Sequence, residues 1–509
     1  MDPFTSEKHV HVRDHSPSMR PMRRIRRKLP LIIILAFSTL VLLSIFKSVT
    51  HHVCSGTARA LGLCRSAVDP QDWKLFYHLG GNGPWIPKSD NVAYDHAPLP
   101  KGCSVDQVHM LSRHAERYPT KTAGARHLEL LKRLDDPAVS LEGSLSFVKS
   151  WTYFTDPTDP AFENLTQTGP YAGTLQASNT GKTLRARYQH LLPRHQSTRF
   201  WSCGSPRDIE TAKQFASGFF GANWLSDGTA ELQVIPEDPK RGGDTLTPGD
   251  TCYKYDRDGY NGHDAGYRKL DEWQTVFTRP IIKRLASLAT GIELEPVDVY
   301  SMMEMCGFEI LVRGSSPWCA VFSQDEWLDF EYARDLLHFY RAGPGNPYAG
   351  AMGWLWLNAT RTLMLDGRAQ HPYMSFVHDG DIVPVLATLK VFDERLMQQT
   401  LPSDKIKSDR NWRTSDVVPM GGRLILERIV CDAFAPASST SKDYFVRLFI
   451  NDGLIRLPGL PKMSRILHAI NISDFSDFVR TRQDIFGEFR AVCSLPDNAP
   501  DRITFLHQD

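Results

Sequence analysis

The sequence predicts an α/β fold with a largely parallel sheet and an inserted helical lobe, and three observations carry that reading. Compact apolar or β-branched runs at 105–111 (Val-Asp-Gln-Val-His-Met-Leu), 198–203 (Thr-Arg-Phe-Trp-Ser-Cys) and 373–377 (Tyr-Met-Ser-Phe-Val) read as strands. Helical sequence follows each of them, the order expected of a parallel sheet. Each run also ends in polar, chemistry-bearing residues: Arg113-His114, then Gly204-Ser205-Pro206-Arg207, then His378-Asp379.

The elements follow in chain order. Residues 1–28 are polar and basic and read as a disordered cytosolic tail. Residues 29–46 are apolar apart from Pro30, Ser38, Thr39 and Ser44. That run is longer than a signal-peptide core and just long enough for a bilayer. Arg20, Arg23, Arg24, Arg26, Arg27 and Lys28 precede it, and only Lys47 and two histidines follow, so the N-terminus is expected in the cytosol. The reading is a transmembrane signal anchor, with a cleaved signal and a secreted product as the alternative. Residues 47–100 read as a stem and an irregular arm leading into the main domain, 101–509.

Within that domain 125–135 and 181–192 look helical. So does 206–219, with Ser205 as N-cap and Pro206 at the first helical position. Trp273, Val276, Phe277, Ile281, Ile282, Leu285 and Leu288 give 271–289 helical spacing, with Pro280 expected to kink or split it. A helix at 325–341 ends before Gly343-Pro344-Gly345, another begins at about Ile382, and 423–430 and 443–450 read as late strands. The α/β core is thus expected at about 101–124, 196–224 and 346–509, and the helical lobe at about 125–195 and 225–345.

Composition excludes some classes. Hydrophobic content of 41% and charged content of 23% are those of a folded chain, and a net charge of +1 leaves no global field for nucleic acid. The nine cysteines lack close paired spacing with histidine, so no metal is expected. Wide spacing beyond a membrane anchor favours disulfides. Sequons at Asn164, Asn358 and Asn471 agree with a glycoprotein of the secretory pathway, facing the lumen or the exterior.

The three strand ends explain one another. Ligands in open α/β sheets bind outside the carboxyl ends of strands, where helix N-termini add partial positive charge. If the strands are neighbours, Arg113, Arg117 and Arg207 neutralise a phosphate dianion, and a histidine between two arginines attacks the phosphorus. An alkoxide leaves only when protonated, and Asp379 is the candidate acid. The bland alternatives are a structural His114, an Asp379 that only caps a helix, and a solvent-facing Arg207.

Arg113-His114-x-x-Arg117-x-Pro119 with the later His378-Asp379 resembles the histidine acid phosphatase family, the branch that includes fungal acid phosphatases and phytases. Leu165-Thr166-x-x-Gly169, the Arg207 helix and Gly343-Pro344-Gly345-Asn346-Pro347 extend the resemblance over most of 54–509. It implies a phosphoglycerate-mutase-like sheet flanked by helices, no cofactor, and a small phosphate monoester as substrate. It implies His114 as nucleophile, Asp379 as proton donor, and Arg113, Arg117, Arg207 and His378 as the phosphate pocket. It further implies the disulfides Cys54–Cys64, Cys103–Cys431, Cys252–Cys493 and Cys306–Cys319, leaving Cys203 as a buried thiol.

Two departures stand out. The family usually has glycine after the nucleophile, and this chain has Ala115; a positive φ there would cost alanine about 1 kcal/mol, a need for smallness alone would not. Gly380 follows His378-Asp379 where phytases commonly have asparagine, a pattern closer to yeast-type acid phosphatases, whereas Lys121 and Arg126 resemble the basic substrate rim of phytases. The expected function is therefore an acid phosphatase, with a phytase or inositol-polyphosphate phosphatase as the alternative. A catalytically impaired, membrane-anchored binding glycoprotein is the alternative of another class.

Overall fold

The central strand β1 (Cys103–Arg113) is buried from Val105 to its end, because it has sheet partners on both edges and covered faces. It belongs to a computed structural model that describes residues 73–87, 99–366, 371–391, 400–432, 442–457 and 468–508. Lys74–Asp509 forms one compact unit. The basic tail, the apolar run 29–46, most of the stem, and Cys54 and Cys64 lie outside the described residues. Among the described residues no helix is long and apolar enough to cross a membrane.

The other strands of the main sheet are β2 (Thr198–Cys203), β3 (Ala230–Ile235), β4 (His371–Val377), β5 (Arg423–Asp432), β6 (Lys442–Ile450), β7 (Gly453–Ile455) and β8 (Ile470–Asn471). Their order is β8-β6-β5-β1-β4-β2-β3, with β7 also paired to β6. Pairing is parallel from β1 through β4 and β2 to β3, and antiparallel on the β5 side. The sheet is thus mixed rather than largely parallel. Strands β5 and β6 are close in sequence and join through a short connection, which forces antiparallel pairing. The three strands expected to converge are consecutive neighbours. Register sets Ser112 and Ser202 both opposite Phe376, so His114, His378 and the Gly204-Ser205 turn lie level.

Nine longer helices surround this sheet among the described residues: α1 (Lys121–Leu134), α2 (Gly173–Tyr188), α3 (Pro206–Phe219), α4 (Ala265–Leu285), α5 (Pro296–Arg313), α6 (Gln324–Arg341), α7 (Ala349–Leu365), α8 (Asp379–Leu389) and α9 (Ile472–Phe486). Helix α3 lays Thr211, Ala212, Phe215, Ala216 and Phe219 inward, in one core with Met110 of β1 and Phe376 of β4. Helix α2, expected in the lobe, packs instead on α3. A Cβ on Gly181 would stand 2.2 Å from Phe215 O, so the backbones meet there. Residues 230–235, also expected in the lobe, are the edge strand beside β2.

Some boundaries differ for physical reasons. Helix α4 runs unbroken through Pro280, and the carbonyl that proline leaves without a donor belongs to Val276, which is exposed to water. Helix α8 starts at Asp379 rather than near Ile382, because the Asp381 carboxylate accepts the His378 amide at 3.1 Å and closes the first turn. Ser205 has N-cap backbone geometry but makes no side-chain cap. Disulfides join Cys103 to Cys431, Cys252 to Cys493 and Cys306 to Cys319, and Cys203 is a buried free thiol.

Candidate active site

The end of β1 is held from behind by the loop preceding β5. The Arg113 amide donates to Gly422 O at 2.8 Å, and the Gly421 amide to His114 O at 2.8 Å. The Arg113 side chain is buried, and its Nη1 donates to Gly81 O at 2.8 Å and Val418 O at 2.7 Å. Two carbonyls fix the guanidinium plane, so Nη2 is aimed at Asp379 Oδ2, 2.9 Å away.

His114 Nδ1 lies 2.9 Å from the Ala115 carbonyl, which only accepts. Nδ1 therefore carries the proton, and Nε2 keeps its lone pair. The Arg117 Nε–H points at that nitrogen from 3.4 Å. Burial, then the charges of Arg113, Arg117 and Arg207, hold His114 well below the usual histidine range. It stays neutral, and therefore nucleophilic, in acid.

His378 is its electrical opposite. The ring centroids lie 6.2 Å apart. His378 Nδ1 meets Asp208 Oδ2 at 3.0 Å, and Nε2 meets Glu237 Oε1 at 3.3 Å. Burial opposes a charge there, but Asp208, Cys203 and Glu237 outweigh it and raise His378 well above the usual range. A carboxylate near each nitrogen favours the imidazolium, the charged form of the ring. The hydrogen bond from His378 in turn holds Glu237 down at about 2.

Arg207 Nη2 stands 3.2 Å from the His378 ring, and Arg117 is turned by its bond to Tyr118 O, 2.8 Å. Burial and then repulsion from Arg113 and Arg207 push Arg117 down to about 9, still cationic below neutrality. The Nε groups of Arg113 and Arg207 are buried with no hydrogen-bond partner. Cations that repel one another, two of them with a buried donor left without a hydrogen bond, beside a neutral imidazole suit a dianion with an electrophilic centre.

The structure brings together Arg113, His114, Arg117, Arg207, His378 and Asp379. The rim residues are arranged differently: Lys121 is exposed at the start of α1, whereas Arg126 pairs with Glu304 at 2.8 Å. Ala115 is buried beside Leu165 and Ala177, and its amide donates to Thr211 Oγ1 at 3.0 Å. It is not among the described non-glycine residues with positive φ, so the cost foreseen for alanine does not arise. Among the described residues Cys203, Asp208 and His378 form the one group with ligand-type atoms within 4.8 Å of one another. The ion pair with Asp208 and the contact with Cys203 (3.8 Å) account for that clustering through His378 alone.

Sequence reasoning missed Asp208, Glu237 and Arg341. Asp208 directly follows Arg207, and the alternation Ala-Glu-Leu-Gln-Val-Ile of 230–235 could have announced a strand ending near Glu237. Arg341 Nη1 lies 3.4 Å from Asp379 Oδ1, and nothing in the local sequence announces that. Asp381 is a second carboxyl close by, held well above its usual range by burial. It sits behind the start of α8 among Leu111, Thr245 and Val385, bonded to the His378 amide.

The fold and site together fit an α/β enzyme that handles phosphate. Residues 104–451 match the histidine phosphatase superfamily (branch 2), and the chain belongs to that family. It is 31% identical over 504 residues to an acid phosphatase of Komagataella pastoris, across 94% of this chain and 98% of the relative. It is 29% identical over 441 residues to a phytase of Candida albicans, across 86% and 90%. The solved phytase from D. castellii superposes with a TM-score of 0.75 at 26% identity, across 86% of this chain and 92% of that one.

Proposed function

We propose that the protein is an acid phosphatase that hydrolyses phosphate monoesters through a phosphohistidine. The observation that supports it best is the opposed pair of histidines: neutral His114 among arginines, cationic His378 among carboxylates. Arg113, Arg117, Arg207 and His378 take the phosphate oxygens. His114 Nε2 attacks the phosphorus in line, the P–O ester bond breaks, and the leaving oxygen takes a proton from Asp379. Water then attacks the phosphohistidine and gives its proton back to Asp379. Phosphate leaves, and His114 regains its lone pair.

Burial favours a protonated Asp379, but the charges of Arg113 and Arg341 hold its carboxyl well below the usual range in the empty site. A bound phosphate draws Arg113 away and sets a like charge nearby, and both effects raise the acid. Activity should therefore fall as pH rises through the value of the loaded enzyme. Brief reaction with phosphorus-labelled substrate followed by denaturation should leave acid-labile, base-stable label on the wild type and none on His114→Ala. Label retained on that variant removes the mechanism.

Likeness to two phytases favours a second reading, in which phytate is the preferred ester. Rates on phytate, glycerol phosphate and p-nitrophenyl phosphate separate the two. We further propose that residues 29–46 anchor the protein as a single-pass membrane protein with a lumenal or extracellular catalytic domain. The basic flank, the disulfides and the exposed Asn164 and Asn471 support that topology. Glycosidase sensitivity with protease protection in sealed membranes tests it.

A further inference from the structure

Asp379 is held by two guanidiniums whose situations differ. Arg113 holds Oδ2 at 2.9 Å from within the phosphate pocket, so a bound phosphate competes for it. Arg341 holds Oδ1 at 3.4 Å from the end of α6. Its Nε donates to His263 Nε2 at 3.2 Å, and its guanidinium carbon lies 5.9 Å from the Tyr267 ring centre. It passes over Gly380, where a Cβ would already stand 3.6 Å from Arg341 Nη2, so a longer side chain at that position would contest the space. Glycine there leaves room for an arginine beside the acid.

We propose that Arg341 is the positioning residue for the proton donor, keeping Asp379 Oδ1 in place after phosphate has drawn Arg113 from Oδ2. This rests on reading Asp379 as the acid. The groups that face Asp379 are Arg113, His114 and Arg117 from the β1 turn, and Arg334, His338 and Arg341 from α6. Arg334 is directed to Tyr300 and His338 instead, at 3.0 and 3.1 Å. Burial and the Arg113 charge aside, Arg341 is thus a cation that favours the ionised carboxylate throughout turnover. Removing it lets Asp379 keep its proton to higher pH.

The test is kcat against pH for the full-length protein on p-nitrophenyl phosphate and glycerol phosphate, with R341Q, R341K, H263L and D379N. R341Q should move the alkaline limb of kcat upward by about one pH unit. It should also lower the glycerol phosphate plateau more than the p-nitrophenyl plateau. R341K should keep the limb in place, and H263L, which frees the guanidinium, should give a smaller upward shift. An unmoved limb in R341Q and H263L, with D379N still losing far more on glycerol phosphate, overturns the role of Arg341 and leaves the acid assignment standing. Equal losses of D379N on both substrates overturn the acid assignment itself. If R341Q does not fold, R341K and H263L decide: a limb that R341K displaces as far as H263L overturns the proposal.

Discussion

The ends of β1 and β4 carry the same residue type at the same level of the sheet, yet the two histidines live in opposite fields. His114 sits among Arg113, Arg117 and Arg207, with a carbonyl at Nδ1 and the Arg117 Nε–H at Nε2. His378 has a carboxylate against each ring nitrogen. The first is kept neutral with a lone pair; the second is kept charged with none. Histidine's ordinary pKa lies where a few nearby charges can tip it either way. Two rings whose centroids lie 6.2 Å apart are tipped in opposite directions, as the proposed roles of attack and binding require.

Removing the nucleophile should do most damage. His114→Ala should lower kcat by about 10⁴-fold or more, measured on p-nitrophenyl phosphate at acid pH, whereas His378→Ala should act chiefly on KM. Comparable kcat losses in both would erase the distinction between the histidines. Next comes the acid: Asp379→Asn should cost about 10²–10⁴-fold on alkyl phosphates and far less on aryl phosphates. A smaller effect is expected behind His378. Asp208→Asn removes the charge that sustains the imidazolium, so KM and the inhibition constant for inorganic phosphate should each rise roughly tenfold, with kcat nearly kept. No change in phosphate inhibition would mean that the charge on His378 does not serve binding.

The last prediction tests the β1 side through stability rather than turnover. Glu116 is fully buried, and its Oε1 accepts the Trp85 amide at 2.9 Å. Burial pushes it up to about 7 from an ordinary 4.5. Its folded value lies above its unfolded one, so the stability it contributes is complete below pH 4.5 and is lost as pH rises to about 7. The wild type should lose on the order of 3 kcal/mol over that window. Glu116→Gln should flatten the decline. Melting temperatures across pH 4 to 8 check this, and parallel curves would place the titration elsewhere.

How far the sequence reached is visible at particular residues. Arg113, His114, Arg117, His378 and Asp379 were legible because strand ends in an α/β sheet are where such chemistry collects, and both runs lie directly after apolar strands. Arg207 was legible through Ser205-Pro206, a helix start. Helix α5 was not, since it is buried almost all round and shows no amphipathic stripe. The antiparallel half of the sheet was legible as strands but not as directions, because pairing sense is a property of connections and neighbours.

The amino-acid sequence by itself determined the chemistry: a histidine between arginines, a second histidine beside an aspartate, and alternating elements that place both at strand ends. Those are local facts of residue type and spacing. Only the tertiary structure decided which histidine is neutral and which is charged, because burial decides at His114 and carboxylates from elsewhere in the chain decide at His378. Asp208 reaches His378 from the first turn of α3 and Glu237 from just past β3, and Arg341 reaches Asp379 from the end of α6. Electrostatic interaction depends on distance through space and on exclusion of water, and neither is written in sequence order.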